Sequence, residues 1–401
     1  MVELSYNFDE NIDRTNTNSV KWDMTDHYFD KKECLPLWVA DSDWETAPEI
    51  KEAIKRRAEH GIFGYTYPSE ELTQTVIEWV KNQYDWEIKK EWVVYANGVV
   101  PSINISIRAL SIPGDGVIIQ TPVYFPFIST VNNTGRQLVN NQLINDDNYY
   151  KIDFEDLNYS LSPENEESCK RGELLLFCNP HNPVGRVWNK EELKKINKTV
   201  IENDLILISD EIHSDFIFDD NKHIPAASLS KEIEQRSITL MAPSKTFNIA
   251  GLHTSFAIIP NKKIRRKFKS VKDHLVGAGS IFGLTAMQAA YSKGEPWLKE
   301  QLEYIKGNIE YTANFLDENL PQVKYSKPEG TYLFWLDFRE VESCSEDINN
   351  KLVKEFSVAL EPGNWFGEGG AGFLRMNLAT PRNNIKNALE GIKKYIEKYY
   401  K

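Results

Sequence analysis

Residues 238–260 read "ITLMAPSKTFNIAGLHTSFAIIP" and contain one charged side chain, Lys245. The runs on either side, "ITLMA" and "TSFAII", are β-branched and apolar, the composition of strands buried on both faces. A lysine between two such strands is out of place, because Lys is rarely buried without a partner. Desolvation favours the neutral amine, and a neutral lysine is a nucleophile that forms imines with carbonyls. An imine-forming lysine is the protein half of one cofactor's chemistry, that of pyridoxal phosphate, whose pyridine nitrogen commonly faces an aspartate. Asp210 could supply that group.

Working outward from Lys245, short apolar runs ending in turn residues alternate with helical stretches. They are "EWVVYANG", a helix through "VVPSINISIRALS", "DGVIIQTP", a helix from Tyr124, "RQLVNN", "ELLLFCNP", a helix through "KEELKKINKTVIEN", and "LILISDEIH". This alternation predicts an α/β domain around a mostly parallel sheet. Beyond residue 260 the rhythm changes. Long helices are expected over roughly 261–320, strands at "YLFWLDF" and "GFLRMNLA", and a terminal helix through "NNIKNALEGIKKYIEKYY". The expected division is a large domain over 45–285 and a smaller α+β domain from 1–44 plus 286–401. Residues 144–171 and 218–236 are polar and weakly patterned, and are expected to be loop or irregular helix.

Composition narrows the possible partners. The 401 residues are 41% hydrophobic, enough for a large core, and carry a net charge of −12 with Lys and Arg dispersed. No basic stripe follows a phosphate backbone or a membrane surface, so neither nucleic acid nor membrane is expected. Cys34, Cys169, Cys178 and Cys344 lie far apart without metal-ligand spacing. No metal is expected, and a reducing cytoplasmic setting fits. The first residues are polar and acidic where a secretion leader is basic and then apolar, and no apolar run approaches a membrane span.

Open parallel sheets bind ligands at the carboxyl ends of their strands. Reading those ends in order gives Asn97-Gly98-Val99-Val100, Thr121-Pro122-Val123-Tyr124, Asn179 to Gly185, Asp210 to His213, and Pro243-Ser244-Lys245. Taken singly, most have ordinary explanations. Gly98 could be a tight turn, Tyr124 a core aromatic, Asn179–Gly185 a loop, and Asp210 a helix cap or ion pair. Gly98 opening a helix could equally leave free N–H groups for a phosphate. The G-x-G-x-x-G fingerprint of a nicotinamide enzyme is absent.

The ordered set "NPHNPVGRVW", "ISDEIHSDF" and "MAPSKTFNIAGL" resembles the pyridoxal-phosphate enzymes of fold type I, the aminotransferase-like superfamily. The strings "SVKWD", "LPLWVADSDWETAP", "HGIFGYTYP" and "EPGNWFGEGGAGFLRMNLATPR" resemble its cystathionine β-lyase or carbon–sulfur lyase group, the MalY/PatB type. The resemblance covers essentially the whole chain. It implies a large domain with a mostly parallel seven-stranded sheet between helices, a smaller α+β domain, and pyridoxal 5′-phosphate as cofactor.

Position by position, the resemblance implies that Lys245 anchors the cofactor and then transfers the proton at Cα. Asp210 would face the pyridine nitrogen, Asn182 the phenolic oxygen and Tyr124 the ring face. Gly98, Val99, Val100 and Ser244 would hold the phosphate, with Tyr65 reaching it from the other subunit of a homodimer. Arg375, Ala40, Tyr65 and Asn182 would contact the substrate, a sulfur-containing amino acid such as L-cystathionine or cystine, with Arg375 clamping its carboxylate. Catalysis would rest on Lys245, Tyr124 and Asp210 and yield a thiol, pyruvate and ammonia.

Two positions depart from the wider superfamily: His213 stands where many members have tyrosine, and His253 where many have a phosphate-binding arginine. Transamination, which shares the proton-removal step, is the nearest rival, and a regulatory binding role alongside lyase activity is another. Trp38, Trp44 and Trp365 are candidates for shaping the distal half of the substrate pocket, although single tryptophans are more often core.

Overall fold

The computed structural model describes residues 5–162 and 172–400. Its centre is a seven-stranded sheet whose strands are β1 (Val93–Ala96), β2 (Gly116–Ile119), β3 (Gln137–Asn140), β4 (Gly172–Cys178), β5 (Ile206–Asp210), β6 (Ser237–Met241) and β7 (Ser255–Ile258). Their order across the sheet is β1-β7-β6-β5-β4-β2-β3. Only β7 runs against its neighbours.

Both faces of this sheet are covered. Val117, Ile119, Leu174, Leu176, Ile208 and Leu240 join one hydrophobic cluster with the helix Val99–Leu110. Ile118, Leu175, Phe177 and Leu207 join another on the opposite face. Successive side chains of a strand point to opposite faces, so two covered faces turn each strand into an unbroken apolar run. That is the origin of "LLLFC" and "ITLM". β6 and β7 are antiparallel neighbours, so the turn carrying Lys245 lies at the edge of the sheet where the parallel strands end.

A second, four-stranded antiparallel sheet contains β8 (Lys324–Ser326), β9 (Leu333–Asp337), β10 (Glu361–Pro362) and β11 (Phe373–Asn377), in the order β8-β9-β11-β10. It packs with the helices Glu295–Asn319, Ser345–Phe356 and Arg382–Tyr399 in the largest apolar cluster. The N-terminal segment joins this half of the chain, with Leu35–Pro36 pairing in parallel with Val358–Ala359. The expected boundary after residue 285 falls inside the helix Ile281–Lys293.

Residues 144–162 differ from the loop or irregular helix expected of them. Ile144–Asp146 and Tyr149–Lys151 form a hairpin, followed by a helix, Phe154–Ser160, capped by the Asp153 side chain. Three-residue strands are too short for a periodic signal. The turn residues Asp147 and Asn148, both at positive φ, were the legible cue. The rest of that stretch, 163–171, and Cys169 with it, lies outside the described residues. In 218–236 the backbone is irregular, with a short 3-10 turn at Ala226–Leu229 and one helical turn at Lys231–Glu234. Among the described residues no helix is long and apolar enough to cross a membrane.

Candidate active site

The strand register sets the floor of the site. Cys178 stands opposite Asp210, and Asp210 opposite Leu240, so the three strands end level with one another at these residues. The loop after β4 is folded back by Gly185 N–H to His181 O at 2.8 Å and by the His181 ring nitrogen Nε2 to Pro122 O at 2.9 Å. Burial pushes the His181 pKa down to about 4, so its ring is neutral and can donate to that carbonyl. Asn182 is thereby held against the β2 loop, where its carbonyl accepts from Tyr124 N–H at 3.1 Å.

Lys245 lies in a single helical turn, Pro243–Thr246. Its neighbours pin that turn: Thr246 Oγ1 donates to the half-buried Asp215 at 2.6 Å, and Phe247 is core. The side chain of Lys245 crosses to the N-terminal segment and donates from Nζ to Ala40 O at 2.6 Å. Burial lowers its pKa, opposed by Asp41, reinforced by Arg375, and opposed again by Asp210 and Glu361. Lys245 and Ser244 each retain a partly accessible surface.

Asp210 is buried, and among the described residues its carboxylate receives one hydrogen bond, from Ile212 N–H at 3.1 Å. Burial raises its pKa to about 7. A buried carboxyl so poorly solvated favours a cationic or N–H partner. Tyr124 is half-buried, and burial with Glu361 nearby pushes its phenol up to about 12.

Arg375, 1% exposed, is not a surface residue. Its Nη1 donates to Asn182 Oδ1 at 2.9 Å and its Nη2 to Trp38 O at 2.9 Å. It also forms an ion pair with Glu361, directly opposite on the neighbouring strand, and among the described residues its Nε has no partner. The first turn of Val99–Leu110 opens at Gly98, whose φ of 150° suits glycine and whose N–H donates to Ser255 Oγ at 3.0 Å. The N–H groups of Val99 and Val100 point out of that helix start without intrahelical acceptors.

The fold therefore gathers Lys245, Ala40, Asp210, Asn182, Tyr124 and Arg375, and brings Gly98–Val100 and Ser244 to the same sheet edge. Tyr65 is different: it lies fully exposed in an irregular segment, and among the described residues no hydrogen bond ties it to the site. His213 is buried and neutral beneath Tyr332, at 5.8 Å between ring centroids. His253 is exposed, in a left-handed conformation. Trp44 packs in the core against Phe8 and Tyr304; Trp38 contributes its carbonyl; Trp365 stays partly exposed beside Phe29. Sequence reasoning missed Glu361, Tyr332 and Asp41. A two-residue strand leaves no pattern that would set Glu361 against Arg375.

The comparisons with known proteins agree with this geometry. The model of the aminotransferase class I and II family matches residues 32–392. The chain belongs to that family. Within it, the chain is 42% identical to cystathionine β-lyase PatB of Bacillus subtilis, over 96% of this chain and 99% of that one. It is 32% identical to protein MalY of Escherichia coli, over 96% and 98%. Its fold matches crystalline cystalysin from Treponema denticola, which contains pyridoxal 5′-phosphate, with a TM-score of 0.93 and 38% identity over 98% and 99% of the two chains. The seven-stranded α/β architecture is that of an aminotransferase-family member.

Proposed function

We propose that this family member is a pyridoxal-5′-phosphate-dependent carbon–sulfur β-lyase. It cleaves L-cystathionine, and related cysteine S-conjugates or cystine, to a thiol such as homocysteine, pyruvate and ammonia. The observation that carries the reading is a half-buried lysine of lowered pKa that feels both a poorly solvated aspartate and a buried arginine, in a chain 42% identical to a cystathionine β-lyase.

The residues present fit the cofactor. Asp210 lacks the cationic partner that a protonated pyridine nitrogen provides, and the Gly98–Val100 helix start with Ser244 offers donors to a phosphate. Asn182 would meet the phenolic oxygen, and Tyr124 would cover the ring. Bound there, pyridoxal phosphate supplies an electron sink for the pair left on the substrate Cα when its proton departs.

The chain's own groups do the rest. Arg375 orients the substrate carboxylate through its guanidinium. Lys245, desolvated and lowered in pKa, takes the proton from Cα. Asp210 retains the ring-nitrogen proton that makes the sink effective. Cleavage of the Cβ–S bond then releases a thiolate, and Lys245 is placed to return a proton. The three-carbon unit left behind gives pyruvate and ammonia on hydrolysis.

The chain acts as a cytoplasmic homodimer, divided into the large domain 45–285 and the small domain 1–44 with 286–401. The exposed apolar run Ile62, Phe63, Tyr65 and Tyr67 supports the dimer, since such a patch asks for a covering surface. Tyr65 of the partner subunit would then reach the cofactor phosphate. The test is pyruvate release from a cysteine thioether by the cofactor-loaded protein without added keto acid.

A further inference from the structure

The carbonyl that holds Lys245 belongs to residues 38–42, a segment whose backbone oxygens are taken by side chains from elsewhere. Val39 O accepts from Asn377 Nδ2 at 2.6 Å. Ala40 O accepts from Lys245 and from the Tyr332 hydroxyl, the latter at 2.9 Å. Asp41 O accepts from Asn377 Nδ2 at 2.7 Å and Lys21 Nζ at 3.3 Å. Ser42 O accepts from Arg14 Nη1 at 3.0 Å and Asn248 Nδ2 at 3.1 Å.

Behind this segment lie four charges with no part in the chemistry above. Arg14 grips both oxygens of Asp41, at 3.0 and 2.8 Å, and reaches Asp43 Oδ1 at 2.7 Å. Lys21, fully buried, donates to Asp43 Oδ2 at 2.6 Å, and Trp22 Nε1 to Asp43 Oδ1 at 2.9 Å. Although burial raises the Asp43 pKa, Lys21, Trp22 and Arg14 bring it below the usual carboxylate range. Two cations and two anions make the cluster neutral. Replacing a buried ion cluster by apolar groups is often neutral or stabilising, so stability is a weak reason for it to exist.

We infer that the Arg14–Lys21–Asp41–Asp43 cluster positions Lys245: it fixes the Ala40 carbonyl on the lysine nitrogen and sets the charge that this nitrogen meets from the N-terminal side. The other groups facing Lys245 are Asp210 from the large sheet, Glu361 and Arg375 from the small one, the Tyr332 hydroxyl, and the neutral His213. Among the charged ones Asp41 acts most strongly. All four members of the cluster are positioning residues, acting through Ala40 and through space.

The inference rests on the proposed cofactor, because the bound cofactor reports the protonation of the Lys245 nitrogen through its visible absorption. The variants are Arg14→Gln and Asp41→Asn, whose side chains are 21% and 22% exposed and so less disruptive than changes at Lys21 or Asp43. The visible band of each substrate-free holoenzyme is titrated against pH. Arg14→Gln leaves one negative charge in excess and raises the midpoint; Asp41→Asn leaves one positive charge in excess and lowers it. Each shift is about 0.5 unit or more. The double variant, again neutral, falls between the two. A purely structural role lowers the melting temperature of both variants without moving their midpoints in opposite directions. The inference is overturned if either single variant keeps the wild-type midpoint, or if both move the same way. A wild-type chain that takes up no cofactor overturns the cofactor reading and this inference with it; a loaded wild type with unmoved variants overturns this inference alone.

Discussion

The guanidinium of Arg375 donates to the side-chain oxygen of Asn182 at 2.9 Å, joining a strand of the small sheet to the loop after β4 of the large one. The proposed carboxylate clamp and the proposed partner of the cofactor's phenolic oxygen are thus one hydrogen-bonded unit. Arg375→Lys keeps the charge but loses the fork. Its kcat/KM should fall about 10- to 100-fold, chiefly through KM, as expected for a lost charged hydrogen bond. Steady-state kinetics check this, with an unchanged cofactor spectrum as the control.

Among the described residues Lys245 makes one hydrogen bond, to Ala40 O, so its removal should spare the fold. Lys245→Ala should lower turnover by at least about two to four powers of ten. Its circular dichroism and melting temperature should stay near wild type. Wild-type turnover in this variant would remove the lysine from the mechanism.

Asp210 gives a pH signature in the cofactor-free protein. Burial raises its pKa from 3.8 to about 7, so between those values the folded chain holds a proton that the unfolded chain has lost. The stability that Asp210 contributes is therefore fully present below about pH 4, is lost as pH rises toward about 7, and levels above it. Asp210→Asn should flatten this slope in melting curves recorded from pH 4 to 8. The same change should slow the loaded protein by about two powers of ten or more, since a neutral amide cannot retain the ring-nitrogen proton.

Gly185 turns the loop that carries Asn182. Its φ is +73°, and a Cβ there would come within 2.8 Å of Pro328 Cα, a backbone atom that cannot step aside cheaply. Gly185→Ala should cost about 1–3 kcal/mol of stability, through strain and displacement of the loop. Denaturant unfolding checks the loss, and weaker cofactor retention should accompany it.

If Tyr65 acts across a dimer interface, two different inactive chains can repair each other. Mixed dimers of Lys245→Ala and Tyr65→Ala chains contain one site with both residues intact. Mixing and re-associating the two variants should recover up to about half of the per-dimer activity lost, and sedimentation should report a dimer. No recovery in a verified mixed dimer would place Tyr65 within its own subunit's chemistry or outside it altogether.

The large sheet was legible because both its faces are buried: its inner strands are apolar runs, and each run stops where turn chemistry begins. Asp210 and Lys245 stood out for the same reason, as charged residues directly beyond such runs. Glu361, Tyr332 and Asp41 did not, because they reach the site through tertiary pairing of short or irregular segments. Leu35–Pro36 pairs with Val358–Ala359 across more than 300 residues, and no local period encodes a contact of that kind. The four charges of the Arg14–Lys21–Asp41–Asp43 cluster likewise read as ordinary polar sequence, since "SVKWD" gives no sign that Lys21 is buried.

The most direct test of the lyase assignment is to incubate the cofactor-loaded protein with L-cystathionine in the absence of any keto acid and to measure pyruvate and free thiol together. β-Elimination predicts equal amounts of both, over many turnovers. Absence of both products, with alanine and a keto-acid acceptor instead cycling the cofactor between its aldehyde and amine forms, would contradict the assignment and make the protein an aminotransferase.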